Sequence, residues 1–170
     1  METMITARRD LLITPWLAAL PAATASMTAH AAVDPTMTIV KPPEEIKWST
    51  GGAPPMSVEQ APLWGSVNEP GLYYTLVKWH PGYMSAPHWY VTDRYCVVVS
   101  GTWWVGSGEN FDPESTVPAP AGSFVRRVAR TPHYDGVKRD GKEAAVIAIC
   151  GIAPVEYHQV DESQPRWRKV

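Results

Sequence analysis

An all-β barrel is the fold class this sequence predicts, and three observations predict it. No segment carries apolar residues at a sustained helical spacing. Short runs rich in β-branched and aromatic residues recur instead at regular intervals from residue 63 onward. Turn formers fall between them: the chain holds 17 Pro and 12 Gly, residues that break helices and close tight turns. A chain of 170 residues can bury one real core, so a single domain is expected.

Taken in order, residues 1–31 read as an export segment. Arg8 and Arg9 precede Asp10-Leu11-Leu12, which resembles a twin-arginine signal with leucine in the usual phenylalanine place. The apolar stretch that follows is broken by Pro15 and Pro21 and is too short to span a membrane. Ala29-His30-Ala31 is a small-x-small cleavage site, with Ala23-Thr24-Ala25 a second candidate. Cleavage would start the mature chain near Ala32 and place it in the periplasm, without a membrane span; an uncleaved N-terminus is the alternative. Residues 32–62 hold Pro35, Pro42, Pro43, Pro54, Pro55 and Pro62, which argue against helix and for an extended arm with at most a short edge strand.

The barrel is expected over residues 63–160. The first strand is 72–79, ended by the turn His80-Pro81-Gly82. Strands follow at 87–91 and 94–100, and the turn Ser100-Gly101 returns the chain along 102–105. Residues 106–110 form a loop, and 111–122, with Pro113, Pro118 and Pro120, a longer connection. Residues 124–128 form another strand, His133 opens the next, and the apolar run 144–150 is short enough for a buried one. Residues 154–160 alternate weakly as a last strand, and the charged tail 161–170 is expected to fray.

Composition narrows the function. Net charge is −2 with no basic block, so nucleic-acid binding has no electrostatic footing. The chain has 8 Trp and 7 Tyr; rings with polar tips either line pockets and interfaces or fill the barrel. Cys96 and Cys150 sit in apolar runs, as buried free thiols or as a disulfide in an oxidising compartment. No P-loop, dinucleotide fingerprint, Cys–His zinc pattern or nucleophile elbow is present.

Two blocks carry the chemistry. The first is Gly82, five residues, His88, then Tyr90, Arg94 and Gly101; the second runs from Gly122 through Val128, Arg130 and His133 to Val137. Their spacing resembles the two motifs of the cupin superfamily, G-x5-H-x-H-x3-E-x6-G and G-x5-P-x-G-x2-H-x3-N. Tyr90 and Arg94 stand where motif one has its second histidine and its glutamate, and Val128, Arg130 and Val137 replace the Pro, Gly and Asn of motif two. The resemblance implies a cupin-type jelly-roll β-barrel, a homodimer across which the arm lies, and a site inside the barrel.

Strand alternation puts His88, Tyr90 and Arg94 on one face if the strand is regular, with Thr92, Cys96 and Val98 beside them. By the resemblance, His88 and His133 are the remaining metal ligands, and Tyr90 would add a phenolate, or Cys96 a thiolate. The ion would be iron, manganese, copper or zinc; without it the histidines become hydrogen-bonding or catalytic groups. Arg94 would repel a cation in the glutamate's place, so it either pairs with Asp93, Glu109 or Asp112 or binds a substrate anion. Alternation turns one of Arg126 and Arg127 inward, and Arg127 is the candidate partner of Arg94 in an anion clamp. Tyr90 and Arg94 are the candidate catalytic pair, Tyr90 as acid or base. One of Trp103 and Trp104 faces in, and Trp103 is the candidate platform for a ligand or plain core packing.

Two functions stand at this level. One is an exported metal-dependent enzyme, of oxygenase or isomerase type, acting on a small organic molecule, with anions included. The other is a metal-free barrel that binds a small ligand or sugar without turnover. A third, metal storage or sensing, rests on the same histidines.

Overall fold

Tyr73, Val77 and Trp79 alternate with Leu72 and Tyr74 along the strand they share, and only the first set is buried. That alternation sets the architecture. The computed structural model describes Thr36 and residues 38–170. The chain divides into Met1–Ile39 and Val40–Val170, and every described strand lies in the second unit. The expected export segment and its cleavage sites lie outside the described residues. Among those residues no helix is long and apolar enough to cross a membrane.

In order the strands are β1 (Val58–Trp64), β2 (Gly71–Trp79), β3 (Tyr83–Ser85), β4 (His88–Tyr90), β5 (Arg94–Ser100), β6 (Thr102–Ser107), β7 (Val117–Pro120), β8 (Phe124–Arg127), β9 (His133–Val137), β10 (Ala145–Ala153), β11 (Tyr157–Gln159) and β12 (Trp167–Lys169). They form two antiparallel sheets. One has the order β1-β2-β10-β5-β8; the other runs β11-β4-β9-β3-β12, with β6 joined to β9 and β7 to β6. Side chains from both sheets meet in one core that includes Tyr73, Trp79, Val98, Trp103, Val137 and Ile147. The expected all-β barrel is the observed fold.

Two segments differ from expectation, and a third gains contacts. The connection 111–122 contains β7 and the short 3-10 turn Pro113–Glu114–Ser115, capped by the Asp112 side chain. The tail does not fray: β12 pairs with β3, and Val170 donates its N–H to the Gly82 carbonyl at 3.0 Å. Within this chain the arm makes contacts with the first strand. Ser49 and Gln60 exchange backbone hydrogen bonds, and the Lys41 ammonium donates to the Leu63 carbonyl at 2.7 Å. Pro62 fits because β1 is an edge strand, where a missing donor leaves no ladder bond unmade.

The cysteines are free. Cys96 lies opposite Ile149 and Cys150 opposite Tyr95 on neighbouring strands, so Cys96 points into the barrel and Cys150 away from it.

Two backbone positions hold the site strands in place. A Cβ on Gly136 would meet the Tyr83 carbonyl oxygen at 2.2 Å, so β9 approaches β3 only because glycine stands there. Arg130, at the motif-two glycine position, has φ 58° and donates its N–H to the Tyr90 carbonyl at 2.8 Å. A non-glycine residue there stores strain. Arg130→Gly is therefore expected to stabilise the fold by about 0.5–1 kcal/mol after the glycine's larger unfolded-state entropy is subtracted. Urea unfolding of the two proteins would check it, and a less stable glycine variant would refute the strain.

Candidate functional site

The register of β4 on β9 places His88 directly opposite His133. Both side chains are buried and their rings lie 4.5 Å apart between centroids. Each ring is held the same way. His88 Nδ1 donates to the Ala86 carbonyl at 2.8 Å, and His133 Nδ1 donates to the Thr131 carbonyl at 2.9 Å. A carbonyl only accepts, so the proton sits on Nδ1 and each Nε2 keeps its lone pair. Burial pushes the His88 imidazolium down to about 4 and that of His133 to about 3, so both rings are neutral at pH 7.

Asp135 is the residue that sequence reasoning missed. It lies two positions past His133 on β9 and therefore faces the same way. The parity argument applied to His88 and Tyr90 would have found it; no motif position drew attention to it. His88, His133 and Asp135 offer ligand atoms that all lie within 4.8 Å of one another. The Asp135 carboxylate also accepts from Trp103 Nε1 at 3.1 Å and pairs with Arg127 at 3.1 Å. Burial, the largest single influence, would raise its pKa, but the Arg127 guanidinium, the two imidazoles and the Trp103 N–H together outweigh it and hold the carboxyl below the usual range.

Arg127 is the inward member of its pair, while Arg126 points out to Asp93. Arg94 lies opposite Arg127 in the β5–β8 register, so two guanidinium groups share the inner face. Asp93 is taken by Arg126 and the Ala129 N–H, and neither Glu109 nor Asp112 pairs with Arg94. Arg94 instead donates through Nε to the Tyr73 hydroxyl at 3.0 Å and lies 4.3 Å above the centre of the Tyr90 ring. Burial works against its charge, yet the surrounding Tyr90 and Tyr73 phenols leave it firmly protonated.

The two strands expected at 87–91 and 94–100 are β4 and β5, and they lie in different sheets, so no single alternation runs from His88 to Arg94. The chain leaves one sheet after Tyr90 and enters the other at Arg94. Thr92, at the corner, does not line the cavity; its hydroxyl donates to the Ile152 carbonyl at 3.1 Å. Arg94, Cys96 and Val98 regain the inward face because β5 restarts the alternation. Burial pushes the Cys96 thiol up to about 11, so it is not a ready thiolate ligand. Tyr90 stands edge-on to His88, with ring centres 5.2 Å apart. The Trp103 ring carries the Arg127 guanidinium 5.0 Å from its centre, which occupies that face as a stacking platform.

All six candidate residues, His88, Tyr90, Arg94, Trp103, Arg127 and His133, line one cavity of about 60 Å³. Asp135, Tyr157, Arg166 and Trp167 line it too, the last two carried in by the docked C-terminal segment. Tyr157 stacks on His88 at 4.9 Å, and Arg166 covers Tyr157 at 3.9 Å. The volume is well below the ~300–1,000 Å³ of pockets for drug-sized ligands, so the cavity suits a compact molecule.

No family model matches the sequence, and no curated protein matches it. Solved structures do match. The polyketide cyclase RemF from Streptomyces resistomycificus is 13% identical, with 75% of this chain and 89% of that chain covered and a TM-score of 0.61. A cupin-2 domain from Rhodospirillum rubrum is 14% identical over 74% of this chain and 82% of that one, with a TM-score of 0.55. KdgF from Halomonas sp. is 18% identical over 65% and 90% of the two chains, with a TM-score of 0.50. At such identities the likeness is one of fold: this chain is a cupin-type jelly-roll barrel.

Proposed function

We propose that the barrel is a metal-dependent enzyme acting on a small organic molecule. The observation that supports it is the convergence of two buried imidazoles and one buried carboxylate, whose ligand atoms lie within 4.8 Å of one another beside a cavity. The donor set fits the group: two imidazoles and a carboxylate suit a divalent iron, manganese or zinc ion and leave coordination positions open. The backbone carbonyls of Ala86 and Thr131 supply the outer contacts that fix both imidazole tautomers. Bound there, such an ion would supply Lewis acidity toward a substrate oxygen. The chain's own residues do the rest. Tyr90 and Tyr157 wall the site, and Arg94 offers a fixed positive charge beside it.

A second reading, a metal-free binding barrel, draws on one feature. Both Asp135 oxygens already have partners, Trp103 and Arg127. Elemental analysis of the purified protein separates the two readings. About one ion per chain, lost in both His88→Ala and His133→Ala, is the expected result. A native protein that takes up no ion after anaerobic incubation with ferrous, manganous and zinc salts in turn would overturn the metal reading and leave the second.

A further inference from the structure

The cavity holds a charge imbalance that its own residues do not resolve. Arg94 and Arg127 project from directly opposed positions on β5 and β8. Like charges so placed repel each other. Asp135 answers one of them, Arg127. Among the described residues no carboxylate lies within ion-pair distance of Arg94. Its Nε is satisfied by Tyr73, and among the described residues no acceptor meets its two terminal nitrogens. A second donor is also unmade: Arg127 Nε is buried without a hydrogen-bond partner. Folding a guanidinium inside a barrel without an anion is costly unless a ligand completes it.

We infer that the molecule this cavity takes is a compact monocarboxylate, its carboxylate on the terminal nitrogens of Arg94 and its body against the apolar wall of Val77, Ile147 and Ile149. The guanidinium fork matches two carboxylate oxygens, which a single-point cation would not. Three guanidiniums, Arg94, Arg127 and Arg166, line the cavity against the one Asp135 carboxylate. Asp135 pairs with Arg127 and Arg166 lies over the Tyr157 ring, so Arg94 is the charge that a single carboxylate would answer. The apolar wall gives a short hydrocarbon body a place that inorganic anions cannot use. This deepens the enzyme reading by naming its substrate class, and it rests on that reading for turnover but not for binding.

The test uses propionate, its neutral amide propionamide and inorganic phosphate as probes, titrated calorimetrically into chelator-treated protein and into protein incubated with zinc. Propionate is expected to bind at least about tenfold more tightly than propionamide, a preference of the size one charge-assisted contact provides. Arg94→Met should abolish that preference while leaving propionamide affinity and metal content unchanged. Tyr73→Phe, which frees the Arg94 Nε without removing its charge, should retain it and serves if the Met variant does not fold. Equal binding of the two probes, a preference that survives Arg94→Met, or phosphate binding as tightly as propionate would each overturn the inference. Failure of metal binding alone would not, because the titration is read in chelator-treated protein as well.

Discussion

Asp135→Asn is expected to destabilise the protein by about 3–5 kcal/mol, far more than its one altered atom suggests. The Asp135 and Arg127 side chains are both almost fully buried, at 10% and 8% exposure. Removing the carboxylate leaves the Arg127 guanidinium inside the barrel with neutral acceptors alone, the Gly106 carbonyl at 3.3 Å and at most the new amide oxygen. It also leaves that charge facing Arg94 across the ladder. A lone buried charge costs more than the pair contributes, so the double variant Arg127→Met with Asp135→Leu should recover most of the loss. Chemical denaturation followed by tryptophan fluorescence would measure all three. An Asn variant within about 1 kcal/mol of the native protein would show that water or a counter-ion already screens Arg127, and the charge argument for the cavity would fall with it.

The same residues show what a sequence displays and what it withholds. Gly82, His88 and Gly101, with Gly122 and His133, stand at spacings that resemble the two cupin motifs, and that resemblance made the barrel and the two histidines legible. Within one strand, alternation placed Arg94, Cys96 and Val98 on the inner face correctly. It failed at Thr92 because parity holds only while the chain stays in one sheet, and the corner between β4 and β5 lies in that interval. Asp135 was visible by parity but had no assigned role; its importance arises from Arg127 and Trp103, which reach it from other strands. Arg166 and Trp167 were invisible for a related reason. Their place at the cavity depends on β12 finding β3, some eighty positions away in sequence, and no local pattern encodes that pairing. Nor could the cysteines be assigned without the register that turns them to opposite faces.

Acid should unfold this protein early, and the histidines set the window. In the native barrel burial holds His88 near 4 and His133 near 3, against about 6.5 in an unfolded chain. Below about pH 6.5 the unfolded chain therefore takes up protons that the native state refuses, and stability falls as pH falls. The contribution of the neutral rings is fully present above that pH and is exhausted once the native pKa values are passed. Two groups with shifts of this size remove about 3–4 kcal/mol between pH 7 and pH 5 in metal-free protein. Asp135 acts in the same direction but lower: its depressed pKa contributes stability that is lost only below the ordinary carboxylate range. The loss between pH 6.5 and 5 thus belongs to the imidazoles. Denaturation midpoints at pH 7, 6 and 5 would measure it, and His88→Gln should flatten part of the slope because glutamine does not titrate. A metal ion on the same Nε2 atoms competes with the protons, so zinc-loaded protein should hold its stability to lower pH than chelator-treated protein. Stability that stays level from pH 7 to 5 without metal would mean that both rings protonate freely in the fold, and that water reaches them despite their burial.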